Sequence, residues 1–344
     1  LAGDARAEAR KCLLCIDLTP EVLSEAFAAK AQVVMAYHPP IFKALRRVTA
    51  DEAPLVFEAV RRGLSVCSVH TALDAAPGGT NDVLAGMLGL RDTRPLTPAG
   101  ADDECKIVTF VPPRELSAVA EAAFCAGAGR IGNYFDCAFF AHGVGTFCGG
   151  EGTHPAIGRA GRHEAVEEMR LEVVAPAGRA ADVCAAIRAA HSYEEPVLDV
   201  YPLRRFPPGS GMGRVGAVVR PLSAAGLVRR VKRAADVARV WVAEPASARR
   251  TKTPPRVKRA ACAAGSCGDL WRQALRAGAT FYLTGEMRHH DALAAAREGM
   301  TVVCLGHSHS ERPALAELAR RLRVELPGLR VVLSRRDRDP LRIV

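Results

Sequence analysis

The sequence predicts an α/β fold on a largely parallel sheet, interrupted by a smaller βαββαβ module. Two observations carry this expectation. Short apolar strands alternate with helices over both ends of the chain, and the rhythm changes between about Cys105 and Leu203. At 344 residues the chain is comfortable for two domains of about 100–200 residues each. Hydrophobic residues make up 49% and charged residues 24%, enough to bury a real core. With aromatics at only 5%, Ala, Val and Leu do the packing.

Lys11 to Leu18 is the first strand, and Pro20 to Lys30 a helix with Thr19 as cap and Pro20 in its first position. Ala31 to Ala36 is a second buried strand and runs into Tyr37-His38-Pro39-Pro40. Pro54 to Arg62 is helical, and Leu64 to Val69 is a third strand that ends in His70-Thr71-Ala72-Leu73-Asp74. Gly78-Gly79 form a turn before a helix over Asn81 to Leu88.

The middle of the chain reads differently. Cys105 to Pro112 is a strand, Arg114 to Ala126 a helix, and two aromatic strands lie around Phe135 to Phe140 and Val144 to Phe147. Strand Met169 to Ala175, helix Arg179 to His191 and strand Pro196 to Tyr201 complete a ferredoxin-like order. Residues 104–207 therefore read as a module set between 1–103 and 208–344.

After Pro207-Pro208-Gly209 the alternation resumes. Gly213 to Val219 is a strand, Ser223 to Ala235 a basic amphipathic helix and Ala238 to Ala243 a strand. Pro245 to Pro255 is a polar, Arg-rich loop. Val257 to Ala264 (strand), Asp269 to Ala277 (helix) and Thr280 to Leu283 (strand) lead to Thr284-Gly285-Glu286-Met287-Arg288-His289-His290-Asp291. Helix Ala292 to Glu298 precedes the strand Thr301 to Leu305. Gly306 breaks that strand, and Ser310-Glu311-Arg312-Pro313 has the form of a helix start with Ser310 as N-cap. The tail from Arg335 to Arg342 is charged and expected to be loosely held.

Composition excludes some functions. No apolar run approaches the roughly 20 residues needed to cross a bilayer. A net charge of +10 suits an anionic partner such as a phosphorylated metabolite, or simply solvated arginine faces. The clusters Arg229-Arg230-Val231-Lys232-Arg233 and Arg249-Arg250-Thr251-Lys252 have no interleaved aromatics, so platforms for stacking bases are missing and nucleic acid is not the expected partner. Eleven cysteines scattered without a framework point to a reducing compartment, the cytoplasm. The chain starts at Leu1 rather than a methionine, which points to an upstream segment; a targeting peptide there would make the address mitochondrial or another organelle. Cys12 and Cys15 spell C-x-x-C inside an apolar run, where buried strand cysteines are expected rather than a redox pair.

The chemistry-bearing residues gather at strand ends. Six of the ten histidines (His38, His70, His289, His290, His307, His309) lie in four turns that follow apolar strands, with Asp74, Glu286, Asp291 and Glu311 beside them. If the strands are parallel neighbours, all six reach one edge, where open α/β sheets bind ligands. A mixed imidazole and carboxylate set without thiolates suits a hydrolytic divalent or non-haem iron site better than a cysteine-type structural zinc site. Two such ions could activate a water and clamp an oxyanion. For any single histidine the competing reading is a turn residue that caps a helix. Gly211-Met212-Gly213-Arg214-Val215-Gly216 matches G-x-G-x-x-G but precedes a strand, so it is rejected as a dinucleotide site. Cys262 to Gly268 does sit between strand and helix, and is either an anion-binding nest or a tight turn.

Together these stretches resemble the GTP cyclohydrolase I type 2 homologue family, also called Nif3-like (NGG-one-interacting-factor-three-like) proteins. The matching segments are Ala36 to Phe42, Val69 to Asp82, Gly129 to Cys137, Ala189 to Leu203, Thr284 to Ala296 and Leu305 to Pro313. The resemblance implies two similar α/β halves forming a layered core, a ferredoxin-like insertion between them and a ring-shaped hexamer. It implies a dinuclear centre of divalent ions (zinc, iron or manganese) held by His38, Asp74, His307 and Glu311. His70, Glu286 and His290 would be supporting or proton-transfer groups with catalytic roles. Many relatives carry two adjacent histidines where this chain has Tyr37-His38, and a phenol is a poor ligand, so the second ion is expected to be weak or absent. Cys267 stands where the family nest has a glycine, and the family's acidic opening segment is missing before Leu1.

Two functions follow as expectations. The first is a metal-dependent hydrolase acting on a nucleotide or related phosphorylated metabolite. The second is a metal-binding, transcription-related regulatory factor with protein partners and no robust catalysis.

Overall fold

The structure is a computed structural model that describes residues 2–4, 6–205, 209–248 and 255–341. The chain divides into two compact units, Leu1–Ala99 with Pro208–Val344, and Gly100–Pro207. In chain order the first unit begins with β1 (Lys11–Cys15), α1 (Pro20–Ala28), β2 (Val33–Ala36), α2 (Pro54–Arg61), β3 (Ser65–Ser68), α3 (His70–Ala75), α4 (Thr80–Leu88), β4 (Leu90–Arg94) and β5 (Thr97–Pro98). The second unit is β6 (Ala101–Val111), α5 (Leu116–Cys125), β7 (Ala138–Cys148), β8 (His163–Pro176), α6 (Ala180–Ala190) and β9 (Asp199–Arg205). The first unit resumes with β10 (Gly211–Met212), β11 (Arg214–Ser223), α7 (Ala224–Ala234), β12 (Trp241–Ala243), β13 (Arg256–Ala263) and α8 (Trp271–Arg276). It ends with β14 (Phe281–Thr284), α9 (His289–Arg297), β15 (Thr301–Cys304), α10 (His307–Glu325) and β16 (Arg330–Leu333).

The first unit has two main sheets, where the strand–helix alternation taken alone suggested one largely parallel sheet. One runs β16-β1-β2-β3 and is parallel throughout. The other runs β12-β15-β14-β13-β11-β4, with β13, β14 and β15 parallel and β12, β11 and β4 joined by antiparallel ladders. Both faces of the parallel strands are covered, which is why they read as unbroken apolar runs rather than alternating ones. Leu13, Cys15, Val34 and Val66 pack against α1 and α2. Cys12, Leu14 and Val331 pack on the opposite face against Leu318 and Ala319 of α10. Cys12 and Cys15 thus point to opposite faces, and burial pushes the Cys12 thiol up to about 11, so they are packing residues. Each fully buried Leu or Val here contributes about 1.5–3 kcal/mol, and Leu14→Ala would cost about 2–5 kcal/mol through the cavity it leaves.

In the second unit the sheet order is β7-β8-β6-β9, with every ladder antiparallel. Its core joins Ile107, Leu171 and Val173 to Val119, Ala123, Val183 and Ile187 of the two helices. The two aromatic strands expected over 135–147 are one strand, β7, because Ala138 to Cys148 pairs residue for residue with Val173 back to His163. Gly143 and Gly145 lie within it without breaking the ladder.

Two further expectations are corrected. The helix after Gly306 starts at His307, not after a Ser310 cap: Gly306 takes φ +95° as the residue before it, and Pro313 lies inside the helix. The Ser310 hydroxyl instead accepts from Gly265 N–H (2.9 Å) and donates to His307 O (2.7 Å), fastening α10 to the loop after β13. The tail is not loose over 334–337, because Asp337 is buried and accepts from Ile16 N–H (2.7 Å) and the Arg312 guanidinium (2.7 Å). Part of the Arg-rich loop, 249–254, and Arg342 lie outside the described residues.

Candidate metal centre

Parallel strands deliver their carboxyl ends to a common edge, and here two sheets do so toward one point. Leaving β2, Tyr37 N–H and His38 N–H continue the ladder to Cys15 O (2.8 Å) and Ile16 O (2.9 Å), which fixes the exit direction of both side chains. His70 follows β3 and opens α3. Glu286 follows β14, and His307 follows β15 as the first residue of α10, placing Glu311 one turn further on the same helix. The strands are therefore not neighbours in one sheet, as the sequence reading supposed; β2 and β3 come from one sheet and β14 and β15 from the other.

Among the described residues, His38, His307 and Glu311 form a group whose candidate ligand atoms lie within 4.8 Å of one another. The His38 and His307 rings are 5.3 Å apart. His307 Nε2 is 3.3 Å from Glu311 Oε1, and His38 Nε2 is 3.1 Å from Glu311 Oε2. Glu311 is buried, and no well-formed hydrogen bond reaches its Oε2, which faces His38 Nε2 at 3.1 Å. A buried carboxylate oxygen without a partner is costly unless something positive meets it. Two imidazoles and a carboxylate also match the donor set of a zinc, iron or manganese ion. Gly265 makes room for this arrangement. With φ +61° it is in the left-handed region, and a Cβ there would lie 2.7 Å from Glu311 Oε1 and 3.7 Å from His307 Nε2. The residues present fit a divalent ion.

The surroundings orient the donors. His38 Nδ1–H donates to Asp17 Oδ1 at 2.9 Å, which turns Nε2 toward the group, where it would ligate an ion once its own proton is displaced. The Asp17 bond, and after it Glu311, push His38 up to about 10, while the same His38 bond holds Asp17 below the usual carboxylate range. His307 Nδ1 lies 3.3 Å from both Ser266 Oγ and Glu286 Oε2, and Ser266 Oγ donates to Glu286 at 3.1 Å. His70 stacks edgewise 5.7 Å from His38 and holds φ +31°, an uncommon conformation for a side-chain-bearing residue at a strand exit.

The other expected residues fall differently. Asp74 is buried nearby, but its carboxylate accepts from the Tyr37 phenol and it is not in the converging group. Burial, only partly offset by that bond and by Thr80, raises Asp74 above the usual carboxylate range. His290 is exposed in the first turn of α9, its ring 5.5 Å from His289. His309 faces Asp339 at 3.1 Å. Asp17 and Ser266 were not singled out from sequence. Asp17 could have been, since it stands at the end of the first apolar strand as His38 stands at the end of the second.

The rejected glycine motif has a structural role. Arg214 is almost fully buried and grips Asp82 through Nε (2.7 Å) and Nη2 (2.9 Å), while Nη1 donates to Gly211 O and Gly213 O.

Comparison with known proteins places the chain. The family model for Duf34/NIF3 (NGG1p interacting factor 3) matches residues 1–340. A protein named "GTP cyclohydrolase 1 type 2 homolog" from Halalkalibacterium halodurans is 34% identical, with 90% of this chain and 82% of that protein covered. The protein of the same name from Bacillus subtilis is 32% identical over 98% of this chain and 90% of its own length. "NIF3-like protein 1" of Rattus norvegicus is 32% identical over 95% of this chain and 81% of its own. The crystal structure of a Bacillus cereus protein related to NIF3 superimposes with a TM-score of 0.73 at 32% identity, covering 100% of this chain and 92% of that one. No helix among the described residues is long and apolar enough to cross a membrane. With a family model matched over nearly its whole length and relatives above 30% identity along most of it, this chain belongs to the Duf34/NIF3 family.

Proposed function

We propose that the protein is a divalent-metal-dependent hydrolase acting on a nucleotide or a related phosphorylated metabolite. The observation that supports this most is the convergence of His38, His307 and the buried Glu311 carboxylate at the carboxyl ends of two sheets, with their candidate ligand atoms within 4.8 Å of one another. His38, His307 and Glu311 would hold the ion. When bound, it supplies Lewis-acid polarisation of a substrate oxygen or an attacking water. The chain's own groups do the rest. Asp17 fixes the His38 ring by holding its Nδ1 proton. Glu286, half exposed beside His307, is placed to accept a proton and pass it to solvent, with Ser266 holding one of its oxygens. His70 stands beside His38 as a second proton carrier. His290, exposed in the first turn of α9, is kept as an outer proton-transfer group.

In this reading the two sheets of the first unit are the two similar halves, the second unit is a ferredoxin-like insertion, and copies assemble as a ring-shaped hexamer. Asp74 is kept as a ligand of a second ion only if Tyr37 releases it. A regulatory, protein-binding role is the competing function.

The test is a screen of nucleotides and phosphoesters with metal-loaded protein beside His38→Ala and His307→Ala. Hydrolysis that disappears in both variants, together with metal loss by elemental analysis, supports the proposal. Equal metal content in wild type and variants would sink it. Metal loss without any turnover on the panel would favour the regulatory role.

A further inference from the structure

The second unit contains the longest family-like stretch that the metal centre does not use, Ala189 to Leu203. Its side chains build a cleft of about 290 Å³ against β7 and β8. Phe110, Phe147, Ile157 and Val197 form apolar walls, and Glu168, Glu194 and Glu195 also line it. No lysine, arginine or histidine is among the lining residues, although the chain carries a net +10. Arg170, which lines the adjoining cleft, is paired with Glu172 at 2.8 Å.

Glu168 is the organising group. It is 9% exposed, and its Oε1 accepts from the Tyr193 hydroxyl at 2.8 Å. No cation pairs with it among the described residues. Its Oε2 occupies the space where any side chain on β7 residue 145 would begin: a Cβ on Gly145 would lie 2.1 Å away. Glycine at that position is what lets a carboxylate sit in the cleft wall. Tyr193 is itself set by a relay. Its N–H donates to His191 Nδ1 (3.1 Å), and His191 Nε2–H donates to Phe110 O (2.9 Å) at the end of β6. Burial, and after it Glu168, push the Tyr193 phenol up, so it remains a donor.

We propose that this cleft binds a small organic cation, an ammonium group carried on an apolar body. A half-satisfied carboxylate inside an aromatic and aliphatic wall recognises that class: the charge-assisted hydrogen bond goes to Glu168, and ring faces and methyl groups hold the remainder. Glu194 and Glu195 add negative charge to the cleft lining.

Calorimetric titration of the full chain with 2-phenylethylamine tests this beside 2-phenylethanol, which has the same shape and no charge. Saturable binding of the amine is expected, with the alcohol weaker by roughly 10- to 100-fold. Glu168→Gln should cost the amine the same factor and leave the alcohol unchanged, with the metal content of the protein also unchanged. Absence of amine binding, equal affinity for amine and alcohol, or full affinity in Glu168→Gln would each overturn the proposal. So would stoichiometric displacement of the amine by calcium chloride, which would assign the carboxylates to a metal. If Glu168→Gln does not fold, the contrast between amine and alcohol on the unaltered chain decides.

Discussion

The Tyr37 phenol donates its hydrogen bond to Asp74 Oδ1, and both side chains are buried. Thr80 Oγ1 is a further 3.1 Å from the phenol oxygen. Burial, followed by the charges of Asp74 and Glu311, pushes the phenol up, so Tyr37 keeps its proton and Asp74 remains occupied by its own chain. Tyr37→His replaces that donor with an imidazole that can ligate. It should increase the divalent metal bound per chain, read by elemental analysis after loading. Unchanged metal content would show that Asp74 is not a ligand held in reserve.

Asp17 acts on the metal group through His38 without belonging to it. Groups that orient a ligating histidine are typically worth 10- to 100-fold in metal affinity, and a loss of about that size is expected for Asp17→Asn. Competition with a chromogenic chelator measures it.

Arg214 joins the start of β11 to Asp82 in the first turn of α4 and satisfies two carbonyls of the preceding turn. Its side chain is 2% exposed and that of Asp82 27%. Arg214→Met leaves the carboxylate and those carbonyls without their donor, at a cost of about 3–5 kcal/mol. Lysine should not restore it, because one ammonium cannot reproduce the planar fork. Urea unfolding of the three proteins checks both statements.

Asp337 anchors the tail by accepting from Ile16 N–H and from Arg312. Asp337→Ala strands a buried backbone donor and should cost about 1–3 kcal/mol. Faster tryptic cleavage after Arg335 and Arg336 is the accompanying sign; cleavage at the wild-type rate would mean that β16 alone holds the tail.

The same tail reports on pH through Glu25. Burial raises its carboxyl, but bonds from the Ser334 hydroxyl and from the N–H groups of Arg335 and Arg336 outweigh this and hold it below the usual range. A folded value below the unfolded one stabilises at pH above the ordinary carboxylate range. That contribution is lost as pH falls through the lowered value. Hydrogen exchange at residues 335–337, referenced to free-peptide rates, should therefore lose protection in acid, and Glu25→Gln should abolish that pH step.

Strand and helix identity was legible where one period dominates. β14, all four residues buried, and α4, with its apolar face on the larger sheet, read directly from the chain. His38, His307 and Glu311 were legible too, because they stand just past apolar strands and a strand end points outward. The number of sheets was not. Fully buried strands carry the same apolar signature whichever sheet they join, so nothing local separates β2 and β3 from β14 and β15. Asp337 and Glu25 escaped for a related reason: a charged residue reads as solvated until its partner from more than 300 positions away is known.

The sequence alone determined that this is an α/β protein with an inserted unit and imidazoles and carboxylates at its strand ends. The tertiary structure decided which of them meet: His38, His307 and Glu311 converge, Asp74 goes to Tyr37, and His290 faces solvent. The reason is geometric. Periodicity and turn chemistry act over a few residues, whereas a ligand set depends on distances of a few ångströms between strands far apart in sequence, and only packing sets those.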